Sequence, residues 1–347
     1  MKTNSPILTI AIPTYNRAAK LQAQLERLLP QLTPAVRLCV YDNASPDNTQ
    51  EVVAKFPGVG YFRAVTNCGA GRNIFRCFEE CSTEWLWVLS DDDLASTTAV
   101  ADLLAILAHE TCDFVHVSLS CVFHDRETVV SDLPSLLQNA ELGHLLWISA
   151  GIYRVNSFRP LFRLFNDAVF TWGPHLVMVL ALLESSGGSV RLSPVRLPAP
   201  TIERPPGWST LDILLRFSLV PEYLVQPDKQ RLVASRIFVE MFNAWMLQGL
   251  RETNGNQRIR KWKRINRQAR QNLKAYHGSG IWSHVLKHWY RAGFRKSSFQ
   301  MALQSIEIRL LSWSPVWLFH FLVRRMPLPQ YIRDDYYNRR NEYLPYV

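Results

Sequence analysis

The 347-residue sequence contains no apolar run long enough to span a membrane. The longest stretch near the C-terminus, residues 310–323, is interrupted by Pro315 and is shorter than the ~20 residues that a bilayer-spanning helix needs. The apolar run at residues 7–12 is too short for a secretory signal and lacks a basic flank and a small-residue cleavage site. We therefore expect neither a transmembrane helix nor a signal peptide, and residues 7–12 are predicted to form a β-strand.

Paired cysteine motifs are also missing. The six cysteines all lie within the first 121 residues, without Cys-x-x-Cys spacing and without histidines at zinc-finger distances. This distribution argues against a disulfide framework or structural zinc and favours reduced thiols in a cytosolic protein. Apolar residues make up 48% of the chain, which is typical of a folded protein of one or two domains.

Negative charge is scarce in the C-terminal part of the sequence. Residues 1–203 contain 15 Lys and Arg against 20 Asp and Glu, a net charge of −5, whereas residues 204–347 contain 24 against 9, a net charge of +15. Within residues 253–306 there are 12 Lys and Arg and no Asp or Glu. Because acidic clefts hold cations and basic surfaces attract phosphate-rich or anionic partners, the two parts are expected to have different roles.

Short apolar strands alternate with helical patterns along the first half of the sequence. Strands are predicted at residues 7–12, 36–41, 61–65, 85–89 and 114–119, and helices at residues 18–29, 49–55, 72–81 and 97–109. This order is typical of β-α-β units. It predicts an α/β fold with a mostly parallel sheet flanked by helices, to which strands at residues 148–154 and 189–197 make antiparallel additions.

A proline-rich stretch at residues 194–206 marks the predicted domain boundary. Before it, residues 1–206 are predicted to form the sheet domain. After it, residues 207–347 form a basic, aromatic and mainly helical region, with helical patterns at residues 211–219 and 232–250.

Polar residues follow the first three predicted strands, at the edge where an open parallel sheet binds ligands. Pro13 is expected to end the pairing of the first strand. Asp42 could accept a hydrogen bond from a pyrimidine N–H. After the third strand, two glycines would allow a ligand to approach the backbone, and Arg72 could bind phosphate with two N–H groups. The third glycine of the dinucleotide fingerprint is missing, which disfavours a Rossmann dehydrogenase.

Three adjacent carboxylates, Asp91, Asp92 and Asp93, follow the fourth strand. Like charges this close repel one another unless a counter-charge is present. Mg²⁺ or Mn²⁺ could supply it, because such ions take one or two carboxylates and fill their other positions with water and phosphate oxygens. The alternative is a solvated turn that caps the helix beginning near Thr97.

Together these segments resemble family 2 glycosyltransferases, which have the GT-A fold, an α/β sheet that binds a nucleotide-diphosphate sugar. The matching segments are ILTIAIPTYNR, VYDNASPDNT and NCGAGRNIFRCFEECSTEWLWVLSDDD, in that order, within roughly the first 200 residues. The resemblance implies that Asp42 faces the base, that Asp91 meets the ribose, and that Asp92 and Asp93 serve Mn²⁺ or Mg²⁺. The residues expected to hold the nucleotide sugar are Pro13, Thr14, Tyr15, Arg17, Asp42, Asn67, Arg72, Asp91 and Asp92.

The sequence departs from the family pattern at two places. The usual strand end reads Asp-x-Asp-Asp, and Ser90 occupies its first acidic position. The family's acidic pair, whose aspartate deprotonates the acceptor hydroxyl, is replaced by residues 172–175, Trp-Gly-Pro-His. His175 and Asp167 are therefore the two candidate bases, and a structural role for His175 is the alternative.

The resemblance implies an inverting transfer of sugar from a nucleotide-diphosphate sugar to a glycan hydroxyl. The expected acceptor is a lipid-linked glycan in the assembly of a bacterial surface polysaccharide. Two other functions compete. One is a non-catalytic protein that binds nucleotide sugar or glycan on the same fold. The other is a nucleotidyltransferase, although residues 13–17 lack the glycine-rich loop expected of one.

The basic C-terminal region has three interpretations. Its cationic and aromatic residues suit an anionic bilayer surface, which would make a cytoplasmic protein peripheral at the inner face of the cytoplasmic membrane. Alternatively, the aromatic residues form the core of packed helices. The third interpretation is nucleic-acid binding. The sequence contains no recognisable DNA- or RNA-binding module, so a nucleic-acid partner is not expected.

Overall fold

A computed structural model of the chain describes residues 5–119, 124–185, 187–199 and 210–237, together with residues 264, 265, 267, 268, 271 and 272. The chain forms two compact units. One comprises Met1–Pro205 and Val220–Gln230, and the other comprises Pro206–Leu219 and Arg231–Val347. The predicted helix at residues 232–250 is described only to residue 237, and the aromatic residues of the segment 253–306 lie outside the described positions.

The strands show the predicted alternation with helices. In chain order they are β1 (Leu8–Thr14), β2 (Val36–Asp42), β3 (Gly60–Arg63), β4 (Trp85–Val88), β5 (Leu94–Ala95), β6 (Phe114–Ser118), β7 (Thr128–Val130), β8 (Gly151–Arg154), β9 (Val190–Arg196) and β10 (Pro198–Ala199). Eight of them form one sheet in the order β3-β2-β1-β4-β8-β6-β9-β7, and β5 pairs with β10.

The sheet is parallel where the candidate site is expected. Strands β3, β2, β1 and β4 are parallel neighbours, and β9 is parallel to β6, whereas β8 and β7 pair antiparallel with their neighbours. The predicted α/β fold with a mostly parallel sheet is therefore confirmed, as is the antiparallel addition of β8. The prediction for residues 189–197 is wrong, because β9 runs parallel to β6 and it is β7 that pairs antiparallel at that edge. Because four parallel strands end at one edge, the loops that follow them are brought together there.

The helices that flank this sheet are α1 (Ala18–Leu28), α2 (Thr49–Ala54), α3 (Ala70–Glu79), α4 (Ala99–Leu107), α5 (Leu133–Asn139), α6 (Leu142–Leu145), α7 (Val155–Phe158), α8 (Phe162–Asp167) and α9 (Pro174–Glu184). Two further helices, α10 (Thr210–Phe217) and α11 (Pro227–Arg236), follow along the chain. Within the part of the chain that is described, no helix combines the length and the apolar character needed to cross a bilayer.

The central strands are apolar because they are buried on both sides. β4 consists of four buried residues, WLWV, and β1 is buried along almost its whole length. α1 contributes Leu21, Leu25 and Leu28 to the same core, a spacing that places them on one face of the helix. This continuous burial is typical of parallel strands.

Pro13 lies inside β1 rather than beyond its end. Pairing with β4 stops at Ala11, opposite Val88, but pairing with β2 continues through Pro13 to Thr14. The prediction that proline ends the pairing is therefore wrong on the β2 side. A proline is tolerated because pairing with β4 has already ended, so its missing N–H removes no ladder bond on that side.

Residues 220–230 pack with the sheet unit through a buried carboxylate. Both oxygens of Glu184, at the end of α9, accept hydrogen bonds from the amide of Val225 (2.8 and 2.9 Å), and Oε1 also accepts one from the amide of Gln226 (2.6 Å). In addition, the Tyr223 hydroxyl donates to the Asp167 carbonyl oxygen (2.9 Å). The segment that precedes α11 is thus fixed near the end of α8.

Candidate functional site

The loops after β1 and β2 are interlocked. Thr14 lies opposite Asp42 in the parallel register, and the Asn43 amide donates to the Thr14 carbonyl oxygen (3.0 Å). Asn16 adopts a left-handed conformation, φ 55°, and its amide donates to the Ser45 hydroxyl oxygen (2.9 Å). Asparagine tolerates this conformation better than most residues do. The turn after β1 therefore has a defined shape.

A residue from the second loop caps the first helix. Asp47 Oδ2 accepts a hydrogen bond from the Ala18 amide at the start of α1 (2.9 Å). Arg17 occupies the N-cap position itself and makes no capping bond. Because Asp47 satisfies this helix end, the Arg17 side chain can turn toward the acidic residues after β4.

Four of the predicted residues meet at this edge. Asp91 Oδ2 accepts a hydrogen bond from Thr14 Oγ1 (2.7 Å), and its Oδ1 accepts one from Arg17 Nη1 (2.7 Å). The same nitrogen donates to Asp92 Oδ2 (2.9 Å), whose other oxygen accepts from the Ser90 hydroxyl (2.5 Å). Burial raises the pKa of Asp91, and the Arg17 charge and the Thr14 hydrogen bond oppose that rise.

Residues 90–93, which follow β4, form a turn that we call the acidic turn. Two buried residues that the sequence analysis did not identify, Gln24 and Ser149, hold it in place. Gln24 of α1 donates to the carbonyl oxygens of Ser90 (3.2 Å) and Asp93 (2.8 Å), and accepts from the Ala95 amide (2.9 Å). The sequence does mark Gln24 in one way, because it is a polar residue on the apolar face of a helix. Such a side chain is buried only with its hydrogen bonds satisfied.

Ser149 supports the turn from the opposite side. Its hydroxyl oxygen accepts from the Ser90 amide (2.9 Å), and its carbonyl oxygen accepts from Trp87 Nε1 (2.8 Å). Ser149 lies 59 residues from Ser90 in the sequence, and no local pattern marks the pair. The turn is thus fixed at its start by Ser149 and along its length by Gln24.

The carboxylates of the acidic turn suit a divalent cation whose other ligands are phosphate oxygens and water. Among the residues described, no group of three or more His, Cys, Asp or Glu side chains converges to hold an ion. Mg²⁺, however, needs only one or two carboxylates when phosphate oxygens and water complete its shell. Asp92 suits this role better than Asp91, since its side chain is 16% exposed against 3%. Asp93 is buried.

Asp42 is a buried, paired carboxylate. Its Oδ2 accepts from the Tyr61 hydroxyl (2.6 Å) and from Arg63 Nη1 (2.7 Å), and its Oδ1 accepts from the Ser45 amide (2.9 Å). Both Tyr61 and Arg63 belong to β3 and were missed by the sequence analysis. With one hydrogen bond on Oδ1 against two on Oδ2, Oδ1 retains the greater capacity to accept another donor.

The loop after β3 is stabilised by asparagine side chains. Asn67 Oδ1 accepts from Asn43 Nδ2 (2.8 Å) and from the Gly69 amide (2.9 Å), while Asn43 Oδ1 accepts from the Cys68 amide (2.9 Å). Gly69 has φ 83°, a conformation that glycine adopts without strain. Asn67 therefore shapes the loop that leads into α3.

Two predicted ligand residues remain accessible beside this loop. Tyr15 is exposed. The Arg72 side chain is half-exposed, forms an ion pair with Glu79 (3.1 Å), and lies over the Phe75 ring (5.1 Å to its centroid). Because exposed ion pairs of this kind contribute little energy, Arg72 can exchange Glu79 for a phosphate at small cost.

The two candidate bases have different environments. Asp167 ends α8, its side chain is 60% exposed, and Arg163 is 3.9 Å away. Shortly after it, Val169 contacts the start of α3. A Cβ atom on Gly71 would lie 2.2 Å from Val169 Cγ2, so any larger residue there would have to displace the Val169 side chain. This contact places the segment after Asp167 against the loop that connects β3 to α3, at the carboxyl ends of the parallel strands.

His175 is buried at the start of α9. Its Nε2 lies 3.0 Å from the Leu146 carbonyl oxygen, and burial lowers its pKa to about 4. A hydrogen bond to a carbonyl requires that Nε2 carry the proton. These features are those of a neutral, structural histidine.

A buried pair of histidines, His116 and His124, lies in the same unit. His116 Nδ1 is 2.7 Å from His124 Nε2, and His116 Nε2 is 3.1 Å from the His144 carbonyl oxygen. Burial lowers the pKa of His116 well below its usual value and that of His124 to about 4. Neutral rings satisfy both contacts, with each Nε2 donating.

Acidification is expected to destabilise this unit. His124 and His175 titrate near pH 4 in the folded chain but near 6.5 when unfolded, so the unfolded chain binds more protons between these values. Stability is therefore complete above pH 6.5 and is lost as the pH falls toward 4. Linkage predicts a loss of about 4 kcal/mol for these two groups between pH 7.5 and 5.

Guanidinium unfolding at pH 7.5 and pH 5 measures this loss. A His175→Gln variant should lose about 2 kcal/mol of the pH dependence, because one titrating group is gone while His116 and His124 remain. His109→Gln, at an exposed position, is the matched control and should behave like the wild type. An unchanged pH dependence in His175→Gln would contradict the assignment.

Comparison with known proteins gives one family match. Residues 9–174 match the family model described as Glycosyl transferase family 2. The matched range contains every candidate site residue except His175, which follows it directly. Abequosyltransferase RfbV of Salmonella typhimurium is 28% identical over 109 residues, which cover 29% of this chain and 32% of that protein. The chain thus matches about a third of that relative's length.

Solved structures show the same fold. S. aureus TarS 1–349 in complex with UDP superimposes with a TM-score of 0.57 at 15% identity, covering 83% of this chain and 92% of that one. The complex of the same protein with UDP-GlcNAc gives a TM-score of 0.55 at 15% identity, covering 83% and 93%. At this identity the similarity concerns the fold.

Proposed function

Because residues 9–174 match the family model of glycosyl transferase family 2, we propose that the protein transfers a sugar from a nucleotide-diphosphate sugar to a hydroxyl group of a glycan. The observation that carries this proposal is the meeting of Thr14, Arg17, Asp91 and Asp92 at the carboxyl edge of the parallel strands. Oxygen ligands and a mobile positive charge are what a diphosphate with its cation requires.

The donor would lie along the loops after β1, β2 and β3. Tyr15 is accessible for stacking against a base. Asp42 is fully buried beside Tyr61 and Arg63, so its Oδ1 would accept from a base N–H once the donor has displaced these two side chains. Asp91 would bind the ribose, while Arg72 would bind phosphate. The complexes of TarS with UDP and UDP-GlcNAc support a uridine nucleotide as the first candidate.

Asp92 would hold Mn²⁺ or Mg²⁺ together with the diphosphate, and Asp93 is the second candidate ligand. Such an ion stabilises the negative charge that develops on the departing diphosphate. Gln24 and Ser149 would keep the turn in the geometry that this contact needs. If the turn could shift, the metal would lie farther from the diphosphate and would stabilise its negative charge less.

Asp167 is the base that the geometry favours. It is exposed and lies just before the segment that contacts the start of α3. It would take the proton of the acceptor hydroxyl as that oxygen attacks the anomeric carbon and the nucleoside diphosphate leaves. A single displacement of this kind inverts the anomeric centre.

The relation to an abequosyltransferase supports a bacterial surface polysaccharide as the product. A lipid-linked glycan at the inner face of the cytoplasmic membrane is the acceptor that we propose. The basic, aromatic residues that would contact an anionic membrane lie outside the described part of the chain. Retention on anionic vesicles at low salt would test this contact, and absence of retention would contradict it.

A donor panel tests the function. The full chain, incubated with UDP-, GDP-, CDP- and dTDP-sugars with or without Mn²⁺, should be stabilised by one nucleotide class only when the metal is present. It should also release the corresponding nucleoside diphosphate. Binding without release, even with glycan acceptors added, would favour the non-catalytic alternative. Formation of pyrophosphate from a nucleoside triphosphate and a sugar phosphate would instead indicate a nucleotidyltransferase.

A further inference from the structure

Arg17 occupies the position between the two carboxylates of the acidic turn. One nitrogen, Nη1, bridges Asp91 Oδ1 (2.7 Å) and Asp92 Oδ2 (2.9 Å). If Asp92 Oδ2 ligated a divalent cation while it accepted this hydrogen bond, two positive charges would lie side by side. The Arg17–Asp92 contact and a metal on that oxygen therefore disfavour each other.

The two ion pairs differ in how readily they can break. Asp91 is almost fully buried and has Thr14 as a second donor, whereas Asp92 is more exposed and has the hydroxyl of its neighbour Ser90 as a second donor. The Arg17 side chain is itself 28% exposed. A cation can thus reach Asp92 and replace Arg17 there, while Asp91 keeps its hydrogen bond to Thr14.

One edge of the Arg17 guanidinium is suited to binding a diphosphate. Both carboxylate contacts use Nη1, which leaves the Nε and Nη2 edge of the guanidinium outside the two ion pairs. A planar pair of N–H groups matches two phosphate oxygens, as a lysine ammonium does not. Arg17 is the N-cap residue of α1, and the hydrogen bond from the Ala18 amide to Asp47 fixes the backbone there, so only the Arg17 side chain needs to move.

We propose that Arg17 is an exchangeable counter-cation of the donor site. It neutralises Asp91 and Asp92 in the absence of donor, and it leaves Asp92 for the diphosphate when donor and divalent cation bind together. This proposal rests on the function proposed above. It predicts that the protein binds the metal alone weakly and that metal and diphosphate strongly increase each other's affinity, because each favours the same Arg17 position.

The test is Mn²⁺ binding, measured by electron paramagnetic resonance with and without UDP. In Arg17→Gln, Mn²⁺ alone should bind roughly tenfold or more tightly than in the wild type, because the competing charge is gone. UDP should raise the Mn²⁺ affinity less in this variant, and UDP itself should bind more weakly. Arg27→Gln, in the last turn of α1, removes an equal charge and should resemble the wild type.

Arg17→Lys separates charge from shape. It should keep the weak binding of Mn²⁺ alone but lose most of the coupling to UDP, since lysine lacks the two-pronged edge. Equal Mn²⁺ affinity in the wild type and Arg17→Gln, with coupling to UDP unchanged in Arg17→Lys, would overturn the role of Arg17 while leaving the proposed function intact. A wild-type protein that binds neither Mn²⁺ nor any nucleotide in the donor panel would contradict both.

Discussion

Replacing Asp92 with asparagine is expected to lower the rate of sugar transfer by roughly a hundredfold or more and to abolish metal-dependent binding of the donor nucleotide. Asparagine keeps the size of the side chain and can still accept from Ser90. It removes the negative charge on the more exposed carboxylate of the Arg17 bridge. A neutral amide is a poor ligand for Mg²⁺ or Mn²⁺ compared with a carboxylate.

The measurement combines nucleotide release with thermal stabilisation by nucleotide and Mn²⁺. Asp102→Asn is the matched control, since Asp102 of α4 is half-buried, as Asp92 is, and accepts from the Thr98 hydroxyl (2.7 Å). It should retain both activities. The folded stability of Asp92→Asn should change little, because the Asp92 carboxylate is partly solvated. Full activity in Asp92→Asn would exclude this residue as the metal ligand.

Asp167→Asn is expected to reduce kcat by roughly a hundredfold or more, with donor affinity and folded stability unchanged. The kcat should fall because the acceptor hydroxyl would lose its base. Stability should not change, because within the described part of the chain the exposed carboxylate has no ionic partner other than Arg163, at 3.9 Å. Steady-state kinetics with donor and acceptor, together with donor binding and denaturant unfolding, would separate the effects on kcat, binding and stability. Arg163→Gln, which removes that ion pair alone, is the control.

His175→Gln should show the opposite pattern. Loss of the buried hydrogen bond to the Leu146 carbonyl is expected to cost about 1–3 kcal/mol of folding free energy. Below the unfolding transition, kcat should stay within a few-fold of wild type, because a histidine with a pKa of about 4 is a weak base at neutral pH. If kcat instead collapses in His175→Gln and survives in Asp167→Asn, His175 is the base.

The fold class followed from local patterns. Continuous apolar runs such as WLWV in β4 and the leucine spacing of α1 are set by burial on a sheet or a helix face, and neighbouring residues suffice to reveal them. The position of the ligand edge followed as well, because the ends of parallel strands must lie together. These features needed no knowledge of distant contacts.

Partners that are distant in the sequence could not be assigned in this way. Arg17 and Asp91 are 74 positions apart, and Gln24 and Asp93 are 69 apart. Asp42 was expected to face a base, yet it also forms a buried cluster with Tyr61 and Arg63, which depends on the register of β2 and β3. Periodicity carries no information about which polar side chains will share one buried volume.

The sequence by itself determined a sheet of parallel strands, the polar residues at their ends and the acidic turn after β4. Only the tertiary structure decided that Arg17 bridges Asp91 and Asp92, that Gln24 and Ser149 hold the turn, and that His175 is buried while Asp167 is exposed. The physical reason is that strand and helix formation depend on neighbouring residues. Side-chain pairing, burial and the resulting pKa values depend on the three-dimensional arrangement of distant segments.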